Sequence, residues 1–228
     1  MKTSLVLVNF ALLITTGLAL GQSASAPASQ AFPPFTQSQG NLDADGLPTS
    51  GAKLCVAAKP TLCYQMPSET YPGSTVAWEF GLQPLSQRLT VPGGGSWIFF
   101  SAMFSAGGSG TLTRLAVLRY QGDGNAAKIV NLMPFVGATN VSEFAMWTVP
   151  TASAYPILVH ADFVWGDGEA HFDPHLYTVE AWKFDPGADH YVKAFQYQTS
   201  QKYAGGDSSP VRVLTPERDQ IMSHLNSK

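Results

Sequence analysis

The chain has 228 residues, of which 16 are acidic and 13 are basic, so its net charge is −3 at pH 7 with neutral histidines. A mildly acidic chain argues against nucleic-acid binding, which requires a clustered positive surface. The length is ample for one domain with a sizeable hydrophobic core.

The first 26 residues have the layout of a secretory signal peptide. Lys2 precedes an apolar run from Leu5 to Leu20, and small residues follow that run. The run is short for a membrane span, and no basic flank follows it to stop transfer. We predict that residues 1–26 are a signal peptide and that the mature chain is secreted or periplasmic without a membrane span. An uncleaved membrane anchor is the alternative.

Residues 27–51 are rich in Ser, Ala, Pro and Gln and contain few aliphatic side chains. Such a segment buries too little apolar surface to offset the entropy of ordering it. We therefore predict a disordered linker here, followed by a single β-rich domain over residues 52–228.

The chain contains two cysteines, Cys55 and Cys63, in the stretch LCVAAKPTLCY. In an oxidising compartment, an even and closely spaced pair indicates a structural disulfide. The spacing is not that of a CxxC redox motif, and two thiols cannot form a four-cysteine zinc site.

From about residue 53 to residue 214, alternating or β-branched and aromatic runs are separated by glycine-rich turns. No long helical window interrupts them, and no fixed sequence period indicates propeller blades. This pattern predicts an all-β fold, a single antiparallel β-sandwich or a curled meander.

One helix is predicted near the C-terminus, at about residues 216–225. Thr215 is a suitable N-cap, and Pro216 fits the first helical position. Ile221, Met222 and Leu225 then share one face, so we expect a short helix that docks on the sheet.

The main candidates for metal binding or acid–base catalysis are ionisable side chains in the stretch HADFVWGDGEAHFDPH, residues 160–175. Asp167-Gly168 is typical of a two-residue hairpin turn, and such a turn pairs Asp162 with Asp173 and His160 with His175. Pro174 cannot donate a ladder hydrogen bond, which indicates an edge or bulged strand.

In that register an apolar face points to the core and an ionisable face points outward. The apolar face contains Val159, Ala161, Phe163, Trp165, Ala170, Phe172, Pro174 and Leu176. The ionisable face contains His160, Asp162, His171, Asp173 and His175. One interpretation is a set of His–Asp pairs on a solvated sheet face; the others are a divalent metal site and acid–base catalysis.

No nucleophile elbow, phosphate loop, dinucleotide fingerprint or HExxH spacing is present. Five tryptophans provide candidate contacts with a carbohydrate or a protein, or fill the core. They are Trp78, Trp97, Trp147, Trp165 and Trp182.

Several stretches together resemble a group of exported bacterial proteins that have no assigned activity. These are LCVAAKPTLCY, SAGGSGTLTRLAVLRY, VNLMPF, FVWGDGEAHFDPHLYTVEAW, KYAG and LTPERDQIM. The resemblance implies a similar order of strands and turns, and it implies no cofactor and no catalytic residue.

These features predict a non-catalytic exported protein that binds a protein or glycan partner in the cell envelope. The first alternative is a metal-binding protein or metal-dependent hydrolase that uses the His/Asp cluster of residues 160–175. The second is an inhibitor of a secreted enzyme, which rests on analogy with small exported β domains.

Overall fold

The computed structural model describes residues 30–70, 75, 77–105, 110–134, 136–171, 173–205 and 211–227. Within these ranges the chain forms four antiparallel β-sheets and one short C-terminal helix, which confirms the predicted all-β class. The predicted signal peptide lies outside the described residues.

The first sheet has three strands, β1 (Phe35–Ser38), β2 (Lys53–Val56) and β3 (Lys59–Gln65). The second is a short pair, β4 (Glu69–Thr70) and β5 (Ala77–Trp78). The third has five strands: β6 (Leu82–Thr90), β7 (Ser96–Ser105), β8 (Thr111–Gln121), β9 (Lys128–Asn131) and β10 (Val136–Thr139). The fourth has four strands: β11 (Glu143–Trp147), β12 (Ile157–Val164), β13 (Leu176–Asp185) and β14 (His190–Gln198). The helix, α1, spans Arg218–Asn226.

The larger sheets stack in layers, with the five-stranded sheet in the middle. Its central strands alternate between two cores: Trp97 and Phe99 of β7 face the four-stranded sheet, whereas Ile98 and Phe100 face the three-stranded sheet. Both faces of β7 and β8 are therefore buried, which explains their nearly continuous hydrophobic sequence. The outer face of the four-stranded sheet is covered by the C-terminal segment and α1.

The structure differs from the predicted disordered linker over residues 30–51. This segment contains β1, which pairs with β2, and Phe32, which is only 2% exposed. The two phenylalanines of the stretch AFPPF, Phe32 and Phe35, provide the apolar surface that the polar composition of the segment concealed.

The predicted register of the hairpin is wrong. In the structure β12 ends at Val164, β13 begins at Leu176, and His160 pairs with Glu180 rather than with His175. The turn at Gly168, where φ is +76°, is present, but it belongs to a longer connection between the strands. His175 exchanges two backbone hydrogen bonds with Tyr203 instead, so it is not available to extend the β12 ladder.

The C-terminal helix lies where it was predicted and buries Ile221 and Leu225 against the sheet. It begins two residues later than predicted, and its N-cap is Glu217 rather than Thr215. The Glu217 carboxylate accepts hydrogen bonds from the hydroxyls of Tyr197 and Tyr203, at 2.9 and 2.6 Å.

The predicted disulfide between Cys55 and Cys63 is present and joins neighbouring positions of β2 and β3. No helix among the described residues has both the length and the apolarity that crossing a membrane requires.

The packing of Trp97 between the two larger sheets gives a first prediction. The Trp97 side chain is 1% exposed and contacts the rings of Tyr155, Phe184 and Tyr191. Trp97→Ala should lower the free energy of unfolding by about 3–5 kcal/mol in urea denaturation, because it leaves a cavity in this core. Leu85→Ala, at a side chain that is 65% exposed, should change it by less than about 0.5 kcal/mol. Similar values for the two variants would contradict the layered packing.

Candidate functional site

The inner face of the four-stranded sheet is apolar at one end and polar at the other. Leu158, Trp182 and Phe184 belong to the core that faces the five-stranded sheet. Further along the same face, the paired residues His160 and Glu180 lie side by side, followed by the pair Asp162 and Thr178. Polar groups thus replace the apolar ones near the end of the interface between the sheets.

This polar end lines an open cleft with a volume of about 480 Å³. The five-stranded sheet contributes Val136 and Gly137 of its four-residue edge strand β10. The lining residues are Val136, Gly137, His160, Asp162, Phe163, Thr178, Glu180, Trp182 and Lys193. The volume falls in the range of small-molecule sites. We call this feature the inter-sheet cleft.

His160 is the most unusual residue of the inter-sheet cleft. The side chain is buried, at 5% exposure, and neither ring nitrogen has a hydrogen-bond partner among the described residues. Burial lowers the pKa of His160; Asp162 and Glu180 oppose this shift, and Lys193 adds to it. The ring is therefore neutral at pH 7 and carries one unused donor and one unused acceptor.

Among the described residues, hydrogen bonds reach only one of the two carboxylate oxygens of Asp162. Its Oδ1 atom accepts hydrogen bonds from the hydroxyls of Thr139, at 2.8 Å, and Ser142, and from its neighbour's amide, Phe163 N, at 3.0 Å. In the described part of the chain, neither its Oδ2 atom nor the Thr178 hydroxyl makes a hydrogen bond. Asp162 thus presents a fixed carboxylate with one oxygen available.

Glu180 is neutralised within the inter-sheet cleft. Lys193 Nζ lies 2.6 Å from its Oε1 atom, and Trp182 Nε1 donates to its Oε2 atom at 3.2 Å. The same ammonium group donates to Gln196 Oε1 at 2.8 Å and lies 5.2 Å from the centre of the Trp182 ring. With His160 neutral, the two carboxylates and one ammonium give the cleft a net charge of about −1.

The five residues predicted to form one cluster separate into two groups. His160 and Asp162 line the inter-sheet cleft, whereas His171, Asp173 and His175 lie in or at the end of the connection after β12. Among the residues that the structure describes, no three His, Cys, Asp or Glu side chains are grouped so that they could hold a metal ion. Phe172, predicted on the apolar face, lies outside the described residues.

The sequence reasoning missed Thr178, Glu180 and Lys193, which also line the cleft. Trp182 lines it too, and it was among the five tryptophans named as candidate contacts. The alternation in LYTVEAWKF was a usable signal, because it places Thr178 and Glu180 on the face opposite Val179 and Ala181.

The connection over residues 165–175, which we call the aromatic loop, is organised around the carboxylate of Glu169. Its oxygens lie 2.5 Å from Lys202 Nζ, 2.8 Å from Gly166 N and 2.7 Å from His175 Nδ1. The hydrogen bond from Lys202, with those from Gly166 and His175, lowers the pKa of Glu169 to about 2. A Cβ atom at Gly166 would lie 2.6 Å from Glu169 Oε1, so a side chain at this position would displace the carboxylate from its present place.

The other predicted ligands of the aromatic loop have local roles. His175 is 1% exposed, and its Nε2 atom lies 3.1 Å from the His171 carbonyl oxygen. Asp173 accepts a hydrogen bond from Ala170 N at 2.6 Å. These contacts join groups within the described part of the loop.

Aromatic rings pack together where β12 ends. The ring centre of Phe163, which packs on the core of the outer sheet face, lies 5.0 Å from that of Trp165 and 4.9 Å from that of His175. Trp165, which was predicted to face the core, is instead 57% exposed. An exposed indole thus packs against Phe163 and His175 at the end of β12.

Comparison of the chain with protein-family models, with curated proteins and with solved structures found no match.

The burial of His160 predicts a pH dependence of stability. Between the lowered folded-state pKa and the ordinary value of 6.5, the unfolded chain binds a proton that the folded chain does not. Stability should therefore fall as the pH drops below 6.5, by up to about 1.4 kcal/mol per pH unit.

Urea denaturation of the protein and of His160→Phe, between pH 7.5 and pH 5, measures this effect as the difference between the two unfolding free energies. His190→Gln, at an exposed histidine, should retain the pH dependence. A difference between the protein and His160→Phe that does not change with pH would refute the assignment.

The Glu169 carboxylate gives a prediction for the aromatic loop. Because the folded-state pKa is lowered from 4.5 to about 2, its stabilising effect should be complete above pH 4.5 and lost as the pH falls toward 2. At pH 7, Glu169→Ala should accelerate hydrogen exchange at Gly166 N, which loses its acceptor. Asp167→Asn, at the exposed turn, should leave that exchange rate unchanged. Equal exchange in Glu169→Ala and the parent protein would contradict the network.

Proposed function

We propose that this chain is an exported, non-catalytic binding protein and that the inter-sheet cleft is its ligand site. The disulfide between Cys55 and Cys63 fits an extracellular or periplasmic location, where thiols are oxidised. The resemblance to exported bacterial proteins agrees with that location.

The observation that carries the proposal is His160. Buried polar groups are almost always hydrogen-bonded, and leaving one unpaired costs about 1–3 kcal/mol. His160 is unpaired in the wall of an open cleft, beside the available Oδ2 atom of Asp162 and the Thr178 hydroxyl. A polar ligand in the cleft is the partner that this arrangement lacks.

The same contacts favour recognition over catalysis. A general base needs a hydrogen-bonded partner that orients it, and His160 bonds neither Asp162 nor Glu180. Asp162 is held by Thr139 and Ser142, and Glu180 is paired with Lys193. Carboxylates whose positions are fixed by separate partners are suited to orienting a bound molecule.

Thermal unfolding in the presence of small molecules tests this proposal. The panel contains neutral sugars, amino acids, dicarboxylates and small amines at millimolar concentration. At least one class should raise the Tm, because a ligand that binds only the folded state stabilises it by mass action. The ligand-induced rise should be lost in His160→Phe, which removes both unpaired ring nitrogens. It should be retained in Asp45→Asn, at an exposed carboxylate in a surface turn distant in sequence. No rise with any class, or an undiminished rise in His160→Phe, would overturn the proposal.

A further inference from the structure

We infer that the ligand of the inter-sheet cleft is an amino alcohol, a molecule in which a primary amine and a hydroxyl group lie close together, as they do in amino sugars and in ethanolamine. Its ammonium group binds Asp162 and Thr178, and its hydroxyl group binds His160. This inference rests on the proposed binding function and names the chemical class that the cleft recognises.

Asp162 is the group of the cleft that favours a cationic ligand. The ion pairs found among the described residues engage other carboxylates, so no basic side chain among them forms an ion pair with Asp162. Its hydrogen-bond donors are two hydroxyls and one backbone amide, which carry no charge. The residue is half-buried, and charges that are removed from water usually have a partner of opposite sign. An ammonium group at its Oδ2 atom supplies that partner through a charge-assisted hydrogen bond.

The register of β12 and β13 places two more polar groups beside Asp162. Thr178 lies directly opposite Asp162, and His160 precedes Asp162 by two residues on the same face of β12. Directly opposed residues have Cβ atoms about 4.5–5.5 Å apart, and alternate residues of a strand are roughly 7 Å apart. All three residues line the cleft, so one small molecule contacts them together.

The hydrogen-bonding capacity of these groups divides between an ammonium and a hydroxyl. The Oδ2 atom of Asp162 only accepts, and the Thr178 hydroxyl accepts as well as donates, so both suit an ammonium group, which only donates. The neutral His160 ring has one donor and one acceptor, and both ring nitrogens are unpaired among the described residues. A hydroxyl group pairs with either nitrogen because it both donates and accepts.

The charge of the cleft favours a monocation over the other ligand classes. Glu180 and Lys193 compensate each other at 2.6 Å, so Asp162 gives the cleft its net charge of about −1. A dicarboxylate would be repelled by that charge, and a neutral sugar would leave it unpaired. The described residues bring together no set of three His, Cys, Asp or Glu side chains for a metal ion. The volume of about 480 Å³ also leaves room for the carbon skeleton of an amino sugar.

The experiment compares matched small molecules by isothermal titration of the intact protein at pH 7. Glucosamine is compared with glucose and N-acetylglucosamine, which lack the cationic amine. Ethanolamine is compared with ethylamine, which lacks the hydroxyl group, and with ethylene glycol, which lacks the amine. At least one of the two amino alcohols should bind, and the controls without a cationic amine should bind about tenfold or more weakly, because they leave Asp162 without a charged partner. The two series distinguish an amino sugar from a small alkanolamine as the preferred source of the group.

Substitutions in the cleft locate the binding. Asp162→Asn keeps the shape of the side chain and should weaken the binding of the amino alcohol by about tenfold or more, because it removes the charge. Thr178→Val should weaken that binding severalfold, and it tests the same site if Asp162→Asn fails to fold. The matched control is Asp45→Asn, which neutralises an exposed carboxylate in a surface turn and should leave the affinity unchanged. Thermal unfolding without ligand separates a lost contact from a lost fold.

The outcomes separate this inference from the proposed function. If a dicarboxylate or a neutral sugar raises the Tm, and His160→Phe abolishes that rise, but no amino alcohol binds, the inference is overturned and the binding function stands. If an amino alcohol binds no more tightly than its matched controls, or binds equally well to folded Asp162→Asn, the inference is also overturned. If no class of ligand binds, both proposals are overturned.

Discussion

The packing of the four-stranded sheet on the five-stranded sheet through Trp97 is the constraint on which the candidate site depends. Trp97 contacts Phe184 and Tyr191 and fixes the separation of the two sheets at the apolar end of their interface. Toward the edge strand β10 the apolar filling ends, and polar side chains of β12 and β13 line an open cleft instead. The walls of this cleft are paired strands of the two sheets.

The free-energy cost of leaving the His160 imidazole without a hydrogen bond has to be offset by the packing of the surrounding side chains. His160 occupies a position on β12 that a leucine or phenylalanine would fill without an unpaired polar group, and its neighbour on the same face, Leu158, does belong to the core. Stability alone therefore does not account for a histidine at this position. Sites where a sequence departs from the most stable choice are often sites of function, and this departure lies at the wall of an open cleft.

Local patterns predicted the class of the fold, the disulfide and the C-terminal helix, because alternation, cysteine spacing and helix-end residues act over short distances. The register of the hairpin could not be predicted in this way. The Asp167-Gly168 turn is real, but the long-range pairing of His175 with Tyr203 and the approach of Lys202 to Glu169 determine where β13 begins. The same distinction between local patterns and long-range pairing applies to the candidate site. His160 and Asp162 were found because they stand on one strand, whereas Lys193 was missed because the pairing of β13 with β14 brings it there.

The long connection between β12 and β13 also determines the surroundings of His160 and Trp165. A two-residue turn would have placed all five ionisable groups on one ladder and Trp165 in the core. The longer connection instead uses His175 and Glu169 to close a loop, and this leaves His160 and Asp162 without the partners that the short hairpin offered. The same change releases Trp165 from the sheet and turns it outward, next to Phe163. The length of this connection therefore leaves both an unpaired imidazole and an exposed indole.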